Sequence, residues 1–345
     1  MNILMQDTKT VALFNNEEKI DYGLTEFLFS RPPVFAGESD VVNVKDVITN
    51  EPDMADFNSE CLKATVVATG EQMDALFIKL PLISQKEVIQ PCNLKDQSFF
   101  DASGNEIKSI GGKYLAKKAK IMIAGRTRVN KRREFMVGEL LKSGKMVIDG
   151  ENINATEIDF GINHTVTLTA ADLWTAGTSK PSEQLEAMES VVNKGAADSN
   201  DVHVIHTPLT WAAYRKHQEF KDWKKERINT KDYGKIIFDK TKPRGLTYKM
   251  EDSDGHKHWL YTEPTGGLVD GFIYVVNRRK FSGIPVFGRI VTDVDGSSTA
   301  TNILFTSRKQ DDPVGEEVQY QSKPLLVGNL DAVVSSQVVS IVVLD

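Results

Sequence analysis

Apolar residues recur at helical spacing through residues 113–143, the longest periodic segment of the chain. Gly144 is suited to cap the C-terminus of this helix, and Gly125 marks a bend or a start within it. Arg126 and Arg133 interrupt the apolar stripe, which is therefore narrow, although their methylene stems can still cover apolar surface. The predicted stripe consists of Leu115, Ala119, Met122, Val129, Met136 and Leu140.

The chain before this helix has a different pattern. The first 40 residues show no strong period and include Pro32 and Pro33, which predicts an extended arm rather than a packed unit. Residues 41–44 predict a short strand, and residues 62–69 and 75–80 predict the two strands of a long hairpin. Because an isolated hairpin is only marginally stable in water, it needs a surface to lie on, from this chain or from another subunit.

The chain after this helix alternates short strands with two further helices. Residues 145–148 and 156–161 predict a strand pair, and a helix follows from Pro181 to Gly195. Residues 202–205 predict a strand, and Thr207 with Pro208 opens a helix that extends to Ile228. Strands and turns follow, and residues 333–344 are rich in β-branched side chains. The pattern therefore predicts an α+β fold with antiparallel strands and no internal repeat.

Composition narrows the class of protein. A length of 345 residues corresponds to about two domains, and 40% apolar with 26% charged residues is typical of a globular protein. No apolar run approaches the ~18 residues that span a membrane, and the N-terminus lacks the pattern of a signal peptide. The two cysteines, Cys61 and Cys92, cannot form a disulfide framework, which favours a reducing, cytosolic place of synthesis.

Charge is unevenly distributed. The net charge is −6, yet residues 113–133 contain nine basic residues and no acidic one. This block is either a solvated helix face or a surface for sequence-independent contact with phosphates. Tyr114 is the only aromatic residue within it, which argues against single-strand binding by base stacking.

Two Asp-x-Asp-Gly segments, residues 252–255 and 293–296, resemble half of a calcium loop. Alignment on the glycine places Met250 or Val291 at the first ligand position and Tyr261 or Asn302 at the twelfth, where a bidentate glutamate is needed. Both segments are therefore interpreted as hairpin turns.

Histidines and cysteines do not form a recognisable site either. Strand geometry directs His203 and His206 to opposite faces, whereas His256 and His258 can share one. Without a nearby ligand set, we expect surface or turn histidines. Cys61 and Cys92 have no adjacent histidine, and the chain has no nucleophile elbow, phosphate-binding loop or dinucleotide fingerprint. The sequence thus predicts no enzyme and no catalytic, cofactor-binding or metal-binding residues.

Four segments share their order and spacing with one known family. They are residues 204–215 (VIHTPLTWAAYR), the helix end at 140–145 (LLKSGK), residues 287–290 (FGRI) with Asp293 and Asp295, and Asp312, Pro313 and Glu316 with residues 321–325 (QSKPL). Together they resemble the major capsid protein of lambda-type tailed phages, a family with the Hong Kong 97-type capsid fold. The resemblance covers about residues 25–340.

The resemblance implies a domain organisation. It comprises an N-terminal arm at 1–40, an extended hairpin loop at 41–92 and the first part of a peripheral domain at 93–178, with a spine helix at about 113–143. An axial domain then covers 179–290. Residues 291–345 return to the peripheral domain and include a C-terminal strand, whose domain is left open.

The resemblance also implies a function and partners. The subunit would assemble into hexamers and pentamers of an icosahedral phage head enclosing double-stranded DNA, after synthesis in the host cytoplasm. A separate scaffolding protein, a portal and a decoration protein at threefold positions would be its partners, and DNA contact would be nonspecific. Two alternatives stay open: a nonspecific nucleic-acid-binding protein that uses the basic helix 113–133, and a hydrolase or metal enzyme with a dispersed site.

Overall fold

A computed structural model describes residues 3–4, 23–36, 41–43, 77–100, 105–150, 153–160, 164–194, 201–229, 245–252, 254–262, 267–292, 297–311 and 314–340. The helices are α1 (Leu24–Leu28), α2 (Ile110–Ser143), α3 (Pro181–Val192), α4 (Pro208–Lys216), α5 (Gln218–Asn229) and α6 (Arg278–Phe281). Short 3-10 turns lie at Pro91–Leu94 and Leu330–Ala332. None of the described helices is long and apolar enough to cross a membrane.

The strands occupy most of the second half of the chain. They are β1 (Ile3–Leu4), β2 (Val34–Phe35), β3 (Val41–Asn43), β4 (Phe77–Lys79), β5 (Ile83–Ile89), β6 (Lys145–Gly150), β7 (Ile153–Asp159), β8 (His164–Val166), β9 (Val202–His206), β10 (Leu246–Glu251), β11 (Lys257–Tyr261), β12 (Phe272–Asn277), β13 (Ile284–Phe287), β14 (Arg289–Val291), β15 (Ser298–Ala300), β16 (Leu304–Asp311), β17 (Val314–Ser322), β18 (Pro324–Val327) and β19 (Val333–Gln337).

Helix α2 begins three residues before the predicted start and ends where predicted. Ser109 caps its N-terminus by accepting a hydrogen bond from the Gly112 N–H at 3.1 Å. Gly144 ends it with φ 64°, and its N–H bonds the Leu140 carbonyl. At 34 residues the helix is about 51 Å long. Gly125 lies inside it rather than at a start, so that part of the prediction is wrong.

A four-stranded sheet in the order β1-β16-β17-β5 packs on the first half of α2. Its core joins both elements and comprises Ile89, Leu94, Phe99, Ala116, Ile121 and Val318. Strand β5 lies within the region predicted as the hairpin loop, yet it pairs along its length with β17. The predicted strand at 62–69 lies outside the described residues. The strands that precede and follow it along the chain, β3 and β4, pair with each other.

A six-stranded mixed sheet in the order β10-β11-β9-β12-β19-β8 forms the second large layer. Helix α3 packs on it through Leu185, Met188 and Val192, against Val204 and Val275 of the central strands. Strand β19 pairs antiparallel with β12 and parallel with β8, which places the last described strand in this sheet. The domain boundaries stay a prediction.

The prediction of an unpacked arm is wrong for residues 24–29. Leu24, Leu28 and Phe29 are buried in the main core beside α2 and Phe281. The apolar spacing of Leu24 and Leu28 places both on one face of α1.

The predicted helix from Pro208 to Ile228 is two helices. His217 interrupts it with extended backbone, ψ 149°, and its buried ring bonds the Ser179 hydroxyl. That hydrogen bond holds the ring, and the break lets α5 leave in a new direction.

Candidate functional site

The basic residues of α2 are used largely within the chain. Lys118 Nζ lies 2.9 Å from Glu316 Oε1, and both side chains are largely shielded from solvent. Arg128 Nη1 lies 2.9 Å from both Glu87 Oε1 and the Tyr320 hydroxyl, and these hydrogen bonds raise its pKa. The helix therefore neutralises carboxylates of β5 and β17.

Four other residues of the basic block also have internal partners. Lys113 Nζ and Arg132 Nη2 each donate to a backbone carbonyl, of Lys95 and Asp149 respectively, at 3.2 Å. Lys120 and Arg133 lie over the rings of Phe99 and Phe287, at 5.0 and 5.4 Å from the ring centroids. The nucleic-acid interpretation of this block gains no support from the structure, because at least six of its nine basic side chains contact their own chain.

Glu134 is the buried charge of this helix. It is 4% exposed, its Oε1 accepts from the Thr25 N–H at 2.9 Å, and its Oε2 accepts from the Tyr261 hydroxyl at 3.3 Å. Burial raises its pKa to about 7, although both hydrogen bonds and the charge of Arg133 act in the opposite direction. One side chain thus joins α1, α2 and β11.

The histidines are not surface residues. His203, His206, His256 and His258 are all at least 97% buried, which contradicts the expectation of surface side chains. Strand β9 is buried at every position, so both of its faces are covered. Its two edges pair with β11 and β12. The sequence indicates burial for the two histidines of β9, because Val202, Val204 and Ile205 lie directly beside them.

Three of these histidines form one hydrogen-bonded chain with two carboxylates. His256 Nε2 lies 2.9 Å from Glu189 Oε2 on α3, and its Nδ1 lies 2.8 Å from Asp252 Oδ2. The same Asp252 oxygen lies 3.1 Å from His258 Nε2, and His258 Nδ1 lies 2.8 Å from His206 Nε2. The chain links α3, the β10–β11 turn and the central strand β9.

The partners fix the protons along this chain. Both His256 nitrogens face carboxylates, so both carry hydrogen; burial opposes the charge, but the bonds to Asp252 and Glu189 outweigh it and raise the pKa to about 9. Burial lowers the pKa of His258, which donates through Nε2 and accepts through Nδ1. His206 then donates through Nε2, and its Nδ1 is a buried acceptor without a partner.

The turn prediction for residues 252–255 is confirmed. Asp252 Oδ1 accepts from the N–H groups of Asp254 and His256 at 3.0 and 2.9 Å, and Gly255 has φ 89°. Asp252, Asp254 and His256 each offer a ligand atom within 4.8 Å of one another. A metal would require His256 to lose a proton that it now donates to a carboxylate, so the cluster fits an ion-pair network. The second turn, 293–296, lies outside the described residues.

A second buried pair has the composition of a catalytic dyad but the wrong tautomer. Ser179 Oγ lies 3.1 Å from His217 Nε2. His217 Nδ1 accepts from the Glu219 N–H at 3.3 Å, so the ring proton is on Nε2 and points at the serine. Ser179 in turn donates to the Ala176 carbonyl at 2.8 Å. The histidine therefore cannot take the serine proton, and the pair fixes the α4–α5 break.

The chain is similar to known proteins in both sequence and fold. A family model described as "Phage major capsid protein E" matches residues 25–261. The structure is similar to that of a protein assigned as the capsid protein of an Escherichia coli CFT073 prophage, at 16% identity and TM-score 0.67, over 98% of this chain and 100% of the other. A search of the curated proteins finds no match.

Two further structures overlap less well. A phage-related protein from Bordetella bronchiseptica RB50 has TM-score 0.46 at 10% identity, over 98% of both chains. The mature capsid of bacteriophage PhiM1 has TM-score 0.45 at 10% identity, over 94% of this chain and 91% of that one. The fold assignment rests on the prophage protein.

The family match and the fold place the chain among phage capsid proteins, which are structural proteins and not enzymes. Within that class, the family match spans more than half of the sequence. The chain belongs to the phage major capsid protein E family.

Proposed function

We propose that this chain is the shell subunit of a phage head and self-assembles into hexamers and pentamers that enclose double-stranded DNA. The observation that carries the proposal is the pairing of β3 with β4, where Val41, Val42 and Asn43 oppose Lys79, Ile78 and Phe77. These strands bracket 33 residues, 44–76. A chain segment of this length with a paired base fits the extended hairpin that lies on a neighbouring copy.

Exposed apolar side chains support a second contact between copies. Val88 is 42% exposed on β5, which is an edge strand of its sheet, and Val314 on the adjoining strand is 70% exposed. None of the described strands pairs with the outer side of β5, so within the described part of the chain its backbone hydrogen-bonding groups are open to a partner strand. An edge strand with apolar neighbours is favoured where subunits of a closed symmetric shell meet.

The proposal includes the domain organisation and partners. Residues 1–40 form the N-terminal arm, of which residues 24–29 pack into the main core. Residues 41–92 form the extended loop, 93–178 and 291–345 the peripheral domain, and 179–290 the axial domain. A separate scaffolding protein acts during assembly, and a portal and a decoration protein at threefold positions join the subunit in the virion. Contact with packaged DNA is nonspecific.

The test is assembly. We expect co-expression with the matching scaffolding protein to give closed particles visible by electron microscopy. Deletion of residues 55–75 is expected to abolish particles and to leave a folded monomer, measured by circular dichroism and a cooperative thermal transition. Soluble wild-type monomers under all conditions, together with tight DNA binding that is lost on neutralising residues 113–133, would favour the nucleic-acid-binding alternative. An unfolded deletion variant would show that the loop is part of the core.

A further inference from the structure

A groove of about 260 Å³ lies at one corner of the six-stranded sheet, where the edge strand β8 ends. Phe272 of β12 and Gln337 of β19 line it, and these two residues lie directly opposite each other in the sheet. Leu168 and Leu173, in the turns that follow β8, also line it. The groove therefore presents apolar side chains beside the end of the last described strand.

The lining of this groove is uncharged. None of the described side chains that line it is ionisable, and its polar members are hydroxyl and amide groups. Proteins that hold nucleic acid do so largely through lysine and arginine contacts with phosphates, which this groove does not offer among the described residues. An uncharged and apolar occupant fits the lining instead.

The chain itself arrives at the groove. Ser340, the last described residue, lines it. The Gly271 carbonyl accepts hydrogen bonds from the N–H groups of Val338 and Val339 at 3.0 and 3.1 Å. On the other side, the Val338 carbonyl accepts from the Trp174 N–H at 2.8 Å. These bonds fix the backbone just before the groove, so the residue after Ser340 starts beside it.

The next residues match the groove in chemistry. Residues 341–344 read Ile-Val-Val-Leu, carry no charge and lie outside the described residues. Four extended residues span about 13 Å and direct alternate side chains to opposite faces, so two of the four can face the groove together. Apolar side chains gain free energy on leaving water, and Ser340 brings these four to an apolar surface.

We propose that residues 341–344 bind in this groove of their own chain, with alternate side chains packed on Leu168, Leu173 and Phe272. The contact goes beyond the proposed function, because it is internal to one chain and does not depend on assembly. The bound segment covers the apolar corner of the sheet, which is otherwise open to water or to another copy.

Cysteine trapping in the full chain tests the contact. In a Cys61→Ser, Cys92→Ser background, Val342→Cys and Val343→Cys are made separately, because one of the two positions faces the groove. Each is combined with Ala170→Cys, which lines the groove, or with the matched control Ala171→Cys, the next residue, which is equally exposed and does not line it.

The two adjacent alanines are almost equally distant along the chain from the segment, so tethering alone favours neither. A disulfide requires its two β-carbons to lie close together. For one of the two segment positions, we expect the Ala170→Cys protein to form an intrachain disulfide at least about tenfold faster than the Ala171→Cys protein. Non-reducing electrophoresis and peptide mass spectrometry of dilute protein measure the two rates.

Polar substitutions give a second measurement. One variant carries Ile341→Asp and Val343→Asp, and the other carries Val342→Asp and Leu344→Asp. We expect at least one of these pairs to lower the midpoint of thermal unfolding by about 3 °C or more, because a charged side chain cannot pack in the groove. Leu173→Ser, on the groove side, should then add less to that pair than it costs alone, since both remove the same contact.

The outcomes separate this contact from its alternatives. Equal trapping of Ala170→Cys and Ala171→Cys, or an unchanged unfolding midpoint in both aspartate variants, would overturn the proposal. A disulfide-linked dimer in place of the intrachain product would assign the groove to residues 341–344 of a second copy and overturn the contact within one chain. Failure of the wild type to form particles would overturn the proposed function alone, since the intrachain disulfide is measured without assembly.

Discussion

The carboxylate of Glu134 accepts a hydrogen bond from the backbone N–H of Thr25, 2.9 Å away and 109 residues earlier in the chain. Its second oxygen accepts from the Tyr261 hydroxyl. A single side chain in the second half of α2 thus holds the short helix α1 against the end of β11. Because this carboxylate is buried, its negative charge is costly, and its ionisation affects how strongly the three elements are joined.

Replacement of Glu134 by Gln tests this cost. Burial raises the pKa of Glu134 from 4.5 to about 7, so between these values the folded chain binds a proton that the unfolded chain has released. The free energy of unfolding of the wild type should therefore fall by about 3 kcal/mol as the pH rises from 4.5 to 8. Glu134→Gln keeps an acceptor for Thr25 and should remove this fall. Urea unfolding at pH 5 and pH 8 measures the free energy of unfolding of both proteins. An equal change between the two pH values in the wild type and the variant would contradict the prediction.

The stability that the histidine network contributes is lost as the pH rises, whereas the stability of a site with a buried neutral histidine is lost as the pH falls. The pKa of His256 is raised to about 9, so the network's stabilisation is complete below about 6.5 and is lost as the pH rises through 9. The pKa of Asp252 is lowered, since the bonds from His256 and His258 outweigh burial, so the stabilisation also falls below about pH 4. Between these limits the ion pairs hold the β10–β11 turn to α3.

We expect hydrogen exchange of the β10 and β11 amides to accelerate several-fold between pH 6.5 and 9.5, beyond the intrinsic pH effect. The loss corresponds to about 1–2 kcal/mol of local stability, because solvent screening reduces the full value of the shift. His256→Gln should abolish this extra acceleration. A nuclear magnetic resonance titration of His256 in the wild type gives the pKa directly. A midpoint near 6.5 would show that the network does not stabilise the charged form of His256.

Elements with a strong local signal could be predicted from the sequence. The end of α2 at Gly144, the Thr207–Pro208 start of α4 and the turn at residues 252–255 each depend on the conformational preference of a few adjacent residues. The histidine network and the Glu134 junction could not be predicted in full. Asp252 lies close in sequence to His256 and His258, but the other links join residues 52 to 127 positions apart, which the fold alone brings together. The break at His217 was missed for the same reason, since it depends on Ser179.

The basic block on α2 should contribute to stability more than to DNA affinity. Lys118→Ala leaves the carboxylate of Glu316 poorly solvated beside the helix, and burial already raises the pKa of Glu316. We expect a loss of about 2 kcal/mol in the free energy of unfolding. Lys117→Ala is the control, because the described residues offer this side chain no partner, and it should cost less than about 0.5 kcal/mol. Urea unfolding and DNA filter binding on the same proteins separate the two roles. A Lys118→Ala protein of wild-type stability with much weaker DNA binding would restore the nucleic-acid interpretation.

Two glycines of α2 should respond in opposite ways to the same substitution. A Cβ at Gly125 would lie 2.8–2.9 Å from the ring of Tyr320, whereas nothing lies within 4 Å of a Cβ at Gly111. Alanine favours the helix by up to about 1 kcal/mol over glycine, so Gly111→Ala should stabilise the protein by a fraction of that value. Gly125→Ala should instead destabilise it by about 1–3 kcal/mol, because the packed ring must move.

A double-mutant cycle with Tyr320→Ala checks this explanation. The Tyr320 ring is buried and its hydroxyl bonds Arg128, so Tyr320→Ala alone should cost stability. In that background the ring no longer opposes the new methyl group, and Gly125→Ala should become neutral or stabilising. Chemical unfolding of the four proteins, with Gly111→Ala in both backgrounds as the control, gives the coupling free energy between positions 125 and 320. A coupling near zero would mean that the ring does not limit position 125, and that the helix tolerates a side chain on its sheet-facing side.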